Sequence, residues 1–457
     1  MSNKQILTFT FVLASFFTMA QANYSGYDMA GIPQTLYSNP AFRPDAKFFI
    51  GLPVISNVNA SYNNTSFSFN DIFVEEPGTD SLFLDLSKLA HSNNKINYIS
   101  GNASVELLSF GFKTGSAFLS FGVNTNFNTR IFYNSDLIKL LWEGNGGYIN
   151  DDIVLSKTGV FQEHYNKYYA GMSVPVGKYA DIGIRVGFVQ GLSSVYTVNN
   201  NVILKTVVDT LNGVYFTGET DYELNTSTAA YLFGDSASIV MNKYFVNFNN
   251  SGLSLDAGVN VKVNKRLAFQ LSVNNLGFIT WRTYNKTYSS KNKNVYFDGV
   301  EYDFFDENNG DDPVESYLNA LDSIFKIKES VKVYSSNLRG NIFANGQFSL
   351  LNPQHRFNIL FAGRFLEEDF EYAVSAGYTY NPAGKFSAKL SYTYIKHSPL
   401  NIGAAFFFNF KPFQIYMMAD NITGIIRWYD TYFADLRFGI NILIPAKKVE
   451  EIPFETE

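Results

Sequence analysis

The chain has 457 residues, a formal net charge of −6, no cysteine, and an aromatic share of 17 % that includes 44 Phe and 30 Tyr. Without Cys there is no disulfide framework and no thiol chemistry, and a mildly acidic balance leaves no electrostatic footprint for nucleic acid. Beyond the first 22 residues no apolar run reaches the roughly 20 residues that a membrane helix needs, so a passage through a bilayer has to be made by strands.

Residues 1–5 are polar with one cation, Lys4, and residues 6–20 are apolar and Phe-rich. Ala20-Gln21-Ala22 then supplies the small-x-small pattern of an export signal cleaved after residue 22. Residues 23–45 do not alternate and carry Gly26, Gly31, Pro33, Pro40 and Pro44, the punctuation of irregular backbone. Within them Asn39-Pro40-Ala41 reads, taken alone, as a turn.

From residue 46 the period becomes two. Phe48, Ile50, Leu52, Val54, Val58, Ala60 and Tyr62 mark a first strand over 46–62, with Pro53 tolerable at an edge or bulge. Residues 70–96 hold scattered Leu among acids and Asn and predict short helices in a loop. A hairpin follows over 103–112 and 117–131, whose second arm sets Leu119, Phe121, Val123, Phe127 and Ile131 against Ser120, Gly122, Asn124, Asn126, Asn128 and Arg130. A face of Asn, Gly and Arg suits a wet or plugged interior. Ser135 is placed to cap a short helix over 135–142, ended by Gly144-Asn145-Gly146-Gly147, which lacks the Lys-Ser/Thr of a phosphate loop.

Strands over 165–176 and 180–196 meet at Gly177-Lys178, and strands over 253–263 and 267–273 meet at Asn264-Lys265-Arg266. Residues 199–250 alternate poorly. Arg185, Asp256 and Lys262 fall on the polar face of their strands, where a lumen tolerates charge that lipid would penalise by a few kcal/mol each. Residues 302–326 are acidic around Gly310, but Asp303, Asp306, Glu307, Asp311, Asp312 and Glu315 do not follow the spacing of an EF-hand loop, so a solvated loop is expected. Residues 313–325 have helical spacing.

After strands over 337–350 and 356–365, residues 371–444 repeat the alternation five times, over 372–380, 386–394, 400–410, 413–421 and 432–444. Lys389 lies on the Ser/Thr face of its strand. Asp420 and Asp435 fall on neighbouring strands, and Arg437, two residues from Asp435 on the same face, is its expected partner. The turns at 381–384 and 411–412 are short and the 421–431 connection is longer, which places residues 447–457 on the periplasmic side. Strands of about 9 to 13 residues match what a tilted strand needs to cross a bilayer.

The expected fold is all-β: an antiparallel transmembrane β-barrel of about 14 strands with a few short helices in its loops. It divides into a signal at 1–22, an irregular segment at 23–45, the barrel at 46–445 and a tail at 446–457. His91, His164, His355 and His397 are dispersed without a metal-binding spacing, and there is no Gly-x-Ser-x-Gly elbow. No enzyme site and no cofactor are assigned.

Asn39-Pro40-Ala41, set between the signal and the first strand, resembles the N-terminal hatch of the FadL-like long-chain fatty-acid transporter family, in which that segment plugs the lumen. Residues 164–192, Gly144-Asn145-Gly146, residues 413–421 and Arg437-Phe438-Gly439-Ile440-Asn441 resemble an uncharacterised family of Bacteroidota outer-membrane barrels, FadL-like and distantly similar to barrels of the type nine secretion and gliding machinery. The resemblance implies a hatch at Asn39, Pro40 and Ala41 and passage of hydrophobic or small solutes along Arg185, Asp256, Lys262, Lys389, Asp420, Asp435 and Arg437. It implies as partners outer-membrane lipid, a hydrophobic ligand and outer-membrane or periplasmic proteins. The other reading is a sealed barrel that anchors a secretion, gliding or assembly complex.

Overall fold

The computed structural model describes residues 24–29, 31–75, 82–91, 94–210, 213–232, 236–297, 325–366, 370–382 and 384–445. The expected signal, most of the acidic stretch with its helix, and the tail at 447–457 lie outside the described residues.

Fourteen antiparallel strands close into one barrel. They are β1 (Ala46–Gly51 and Val58–Asn64), β2 (Ile96–Thr114), β3 (Ala117–Asn134), β4 (Gly159–Val176), β5 (Ala180–Asp209), β6 (Gly213–Ser227 and Ser251–Lys262) and β7 (Leu267–Trp281 and Asn285–Phe297). There follow β8 (Lys328–Ser330, Tyr334–Asn337 and Asn341–Ser349), β9 (His355–Phe365), β10 (Phe370–Tyr380), β11 (Phe386–Ile395), β12 (Ser398–Phe410), β13 (Phe413–Ala419) and β14 (Phe433–Pro445). The register Ala46↔Pro445 and Val58↔Phe438 returns β14 to β1, so the sheet has no open edge along that seam.

The alternation read from the sequence sorts side chains between two environments. Along β3, Ser120, Asn124, Asn126, Asn128 and Arg130 are buried. On the opposite face of the wall Leu253, Leu271, Ile359, Leu390 and Ile402 are exposed. So large a band of uncovered apolar side chains is stable only against lipid. Among the described residues no helix is long and apolar enough to cross a membrane. The helices are short and sit in the connections: Phe69–Ile72, Ser87–Ala90, Ser135–Glu143, Ala237–Lys243 and Ile422–Ile426.

Four details differ from the sequence reading. The first strand is interrupted at residues 52–57, where Val54 takes a φ of 70° beside Pro53, while Leu52 N–H to Ile440 O at 3.2 Å and Glu106 N–H to Asn57 O at 3.0 Å keep the wall bridged. Residues 199–250 contain far more strand than their irregular pattern suggests. β5 runs for 30 residues; its first part pairs with Ser251–Lys262 and its last part with Gly213–Ser227. Residues 285–297, to which no strand was assigned, continue β7 upward. Beyond the bilayer both faces meet water, so nothing forces a two-residue apolar period there. Lastly, the helix at 135 is capped by Asn134, whose side chain accepts from Asp136 N–H at 3.2 Å, and not by Ser135.

Candidate functional site: the barrel interior

The described residues of 24–45 contain one 3-10 turn, Pro33–Tyr37, and no strand, so the backbone groups left over from their local turns have to be satisfied by side chains of the wall. They lie within the barrel. At one end Asp420 accepts from Tyr24 N–H at 3.0 Å and Ser25 N–H at 2.6 Å, and Ser25 Oγ donates to Ala419 O at 3.1 Å. Further along, Lys389 pairs with Asp28, both almost fully buried. Gln34 and Asn441 exchange two amide hydrogen bonds at 2.8 and 2.9 Å. Ser272 Oγ and the Asn274 amide donate to Ser38 O at 2.6 and 2.8 Å. At the other end Arg43 pairs with Asp181 at 2.5 Å.

Apolar contacts sit between these polar ones. Met29 and Ile32 pack with Phe407, Tyr416 and Met418; Tyr27 and Phe42 pack with Leu360; and Leu36 packs with Phe49 and Phe118. These wall residues are apolar although they face inward, because the segment covers them.

Asn39-Pro40-Ala41 forms a turn closed by Ala41 N–H donating to Asn39 Oδ1 at 2.9 Å, while the Asn39 amide donates to Val259 O at 3.3 Å. The turn presses on two glycines that are register partners on β5 and β6, Gly183 and Gly258. A Cβ on Gly183 would lie 2.0 Å from Pro40 O, and one on Gly258 2.0 Å from Asn39 Oδ1. The wall is notched where this triplet sits, and only glycine leaves that notch.

The expected lumen residues fall into separate groups. Arg185 and Asp256 meet at 2.5 Å, and Asp256 also binds Lys167 at 3.0 Å and accepts from Asn275 N–H at 2.6 Å. Arg185 additionally donates to Leu36 O at 2.9 Å. Lys262 sits apart at the short-turn rim, half exposed, 3.1 Å from Asp181. Asp420 and Asp435 are brought together, with Asp435 accepting from the backbone N–H groups of Asp420 at 2.7 Å and Asn421 at 3.2 Å. The expected Arg437–Asp435 ion pair is not formed. Asp435 is already occupied by backbone donors, and Arg437 makes no ion pair with any described residue within 4.0 Å.

Glu106, Lys167 and Glu371 were missed from sequence, whereas Arg130 lies on the inward face as expected. Glu106 is buried and accepts from the hydroxyls of Ser56, Ser109 and Tyr37 and from the Gln34 amide. Arg130 stacks on Tyr98 at 3.7 Å and lies 3.8 Å from Glu371. Each is a charge on an inward position of its strand, a signal that was available. A bulge between Glu106 and Leu108, and another between His164 and Tyr165, shift the alternation beside Glu106 and Lys167 and hide it. Among the described residues no group of three or more His, Asp or Glu could hold a metal ion.

The space left inside is polar: a cavity of about 80 Å³ between Tyr37, Asn59, Lys167 and Arg437, one of about 30 Å³ beside Tyr24 and Glu371, and a wider one of about 530 Å³ at the short-turn end between Asp28, Arg43, Asp181, Lys262 and Arg356. A larger apolar concavity, about 730 Å³, lies across the outer faces of β2 to β7 and is lined by Phe110, Phe121, Phe188, Leu253 and Phe278.

No curated relative matches the sequence. Among solved structures the chain is similar to the Ralstonia pickettii toluene transporter TbuX, with 8 % identity, 90 % of this chain and 94 % of that one covered, and a TM-score of 0.42. It is similar also to a Pseudomonas aeruginosa FadL homologue, with 9 % identity, coverage of 93 % and 98 %, and a TM-score of 0.42. A deletion mutant of the monoaromatic hydrocarbon channel TodX gives 9 %, 95 % and 98 %, and 0.44. The family model that matches does so over residues 40–420, and the chain belongs to that family, DUF5723, a family of unknown function.

Proposed function

We propose that the protein is an outer-membrane channel for small solutes, closed in this conformation by residues 24–45 acting as a hatch. One observation carries the reading: the segment filling the lumen adds no strand to the wall and is held by side-chain contacts alone, so it can leave without unzipping the barrel. The cavities left beside it are lined by Asn, Ser and charged groups, which favours polar cargo in the lumen. A hydrophobic ligand or a lipid chain instead fits the apolar concavity on the outer face.

The sealed-barrel reading, an anchor for secretion, gliding or assembly partners, draws support from the almost complete burial of the Asp28–Lys389 pair. The absence of native cysteine gives a clean test. Ser25 Oγ and Ser391 Oγ lie 3.1 Å apart, so Ser25→Cys with Ser391→Cys places a single disulfide between segment and wall. In liposomes the channel reading expects solute flux that is absent when this variant is oxidised and restored on reduction. A barrel that folds without residues 24–45 and still passes nothing would establish the anchor instead, as would stoichiometric partners retained through purification.

A further inference from the structure

Arg437 is a buried guanidinium, 6 % exposed, whose Nε has neither an acceptor nor solvent. It makes no hydrogen bond and no ion pair with any described residue. A guanidinium cannot shed its proton to escape such a position, and a buried charge left unpaired is strongly destabilising. Asp420 and Asp435 act on Arg437 through space but lie beyond ion-pair distance, and the hydrogen bonds of the surrounding carboxylates go elsewhere: Asp420 to Tyr24 and Ser25, Asp435 to two backbone N–H groups, Glu106 to three hydroxyls and an amide.

Arg437 opens instead on the cavity of about 80 Å³. Three cations line that cavity, Lys167, Arg185 and Arg437, and no carboxylate does. Asp256, buried behind these side chains on the inward face of β6, is shared between Lys167 and Arg185 and so offsets one charge of the three. Asn57 adds a donor: its Oδ1 accepts from the Tyr416 hydroxyl at 3.1 Å, which leaves its amide N–H groups for the cavity. Two acceptors without partners, Asn59 Oδ1 and Asn274 Oδ1, stand on the same lining and require water beside any ion.

We infer that this cavity binds one small inorganic anion, a hydrated halide or an ion of similar size, with Arg437 as its principal contact. The inference does not depend on whether the barrel conducts. It explains why a cation with five donors is kept where no protein acceptor reaches it: the acceptor comes from solution.

Bromide is the probe. Crystals of the full chain grown in sodium bromide are expected to show an anomalous peak against Arg437, and the thermal midpoint of unfolding in detergent should be higher in bromide than in gluconate at equal ionic strength. Asn59 lies directly opposite Arg437 in the β1–β14 register. Asn59→Asp therefore supplies a fixed counter-charge, and it should abolish both the peak and the halide dependence while raising the midpoint in gluconate. Arg437→Gln should abolish them as well. A wild-type cavity holding only water in bromide, or an equal midpoint in the two salts, overturns the inference; so does a bromide peak that survives in Asn59→Asp.

Discussion

Lys389 could be found from sequence because it interrupts the Ser387, Ser391 and Thr393 face of a strand whose other face is apolar. Its partner could not, since Asp28 lies in a segment without period or register. The notch was hidden for the same reason: Gly183 and Gly258 look like ordinary inward positions until the turn at Asn39 rests on them. The buried pair permits a test at the level of single side chains. Asp28→Ala leaves a buried ammonium without its counter-charge and is expected to lower stability by roughly 3 to 5 kcal/mol, whereas Asp28→Ala combined with Lys389→Met should recover most of that loss. Chemical denaturation of the barrel in detergent reads both, and equal stability of the single and double variants would show the pair to be energetically idle.

Among the elements, the strands facing lipid were legible and those rising above it were not. A two-residue period exists only where one face is apolar and the other is not, a condition that lapses in residues 199–227 and 285–297. The connections at that end are organised by capping chemistry. Asp71 accepts from Ser68 N–H at 2.7 Å and from the Tyr432 hydroxyl at 2.9 Å and pairs with Lys88, tying the Phe69–Ile72 and Ser87–Ala90 helices to the connection before β14. Burial works against ionisation of this carboxyl, but Lys88, the Ser68 N–H and the Tyr432 hydroxyl outweigh it and hold its pKa below the ordinary 3.8. A depressed carboxylate contributes its full share above the unfolded pKa and loses it as pH falls through the folded value. Protection factors for amide exchange over residues 68–75 and 82–90 should therefore be high at neutral pH and fall only below about pH 3.8, while Asp71→Asn should show low protection already at neutral pH. Identical exchange in the two proteins would dismiss the clasp.

For the molecule as a whole, closure, strand number and the facing of most side chains followed from the sequence, and a segment in the lumen was implied by resemblance, whereas the contacts that hold that segment needed the structure. The orientation inferred from turn lengths can be checked on cells. A short epitope placed after Asp209, at the tip of β5, should be accessible to antibody on intact bacteria, and the same epitope at Gly115 should be accessible only after the outer membrane is permeabilised. Labelling in the reverse pattern would invert the molecule.

The 30 residues of β5 bear on more than topology. About ten of them suffice to cross a bilayer, and the remainder, with the upper parts of β6 to β8, raise one arc of the wall, while β13 has only 7 residues. A barrel built this way is not uniform around the membrane normal: it has a tall side and a low side. Anything approaching along the membrane surface from that side meets the low rim, so the barrel has a fixed azimuth in the membrane without any symmetry axis in the chain itself.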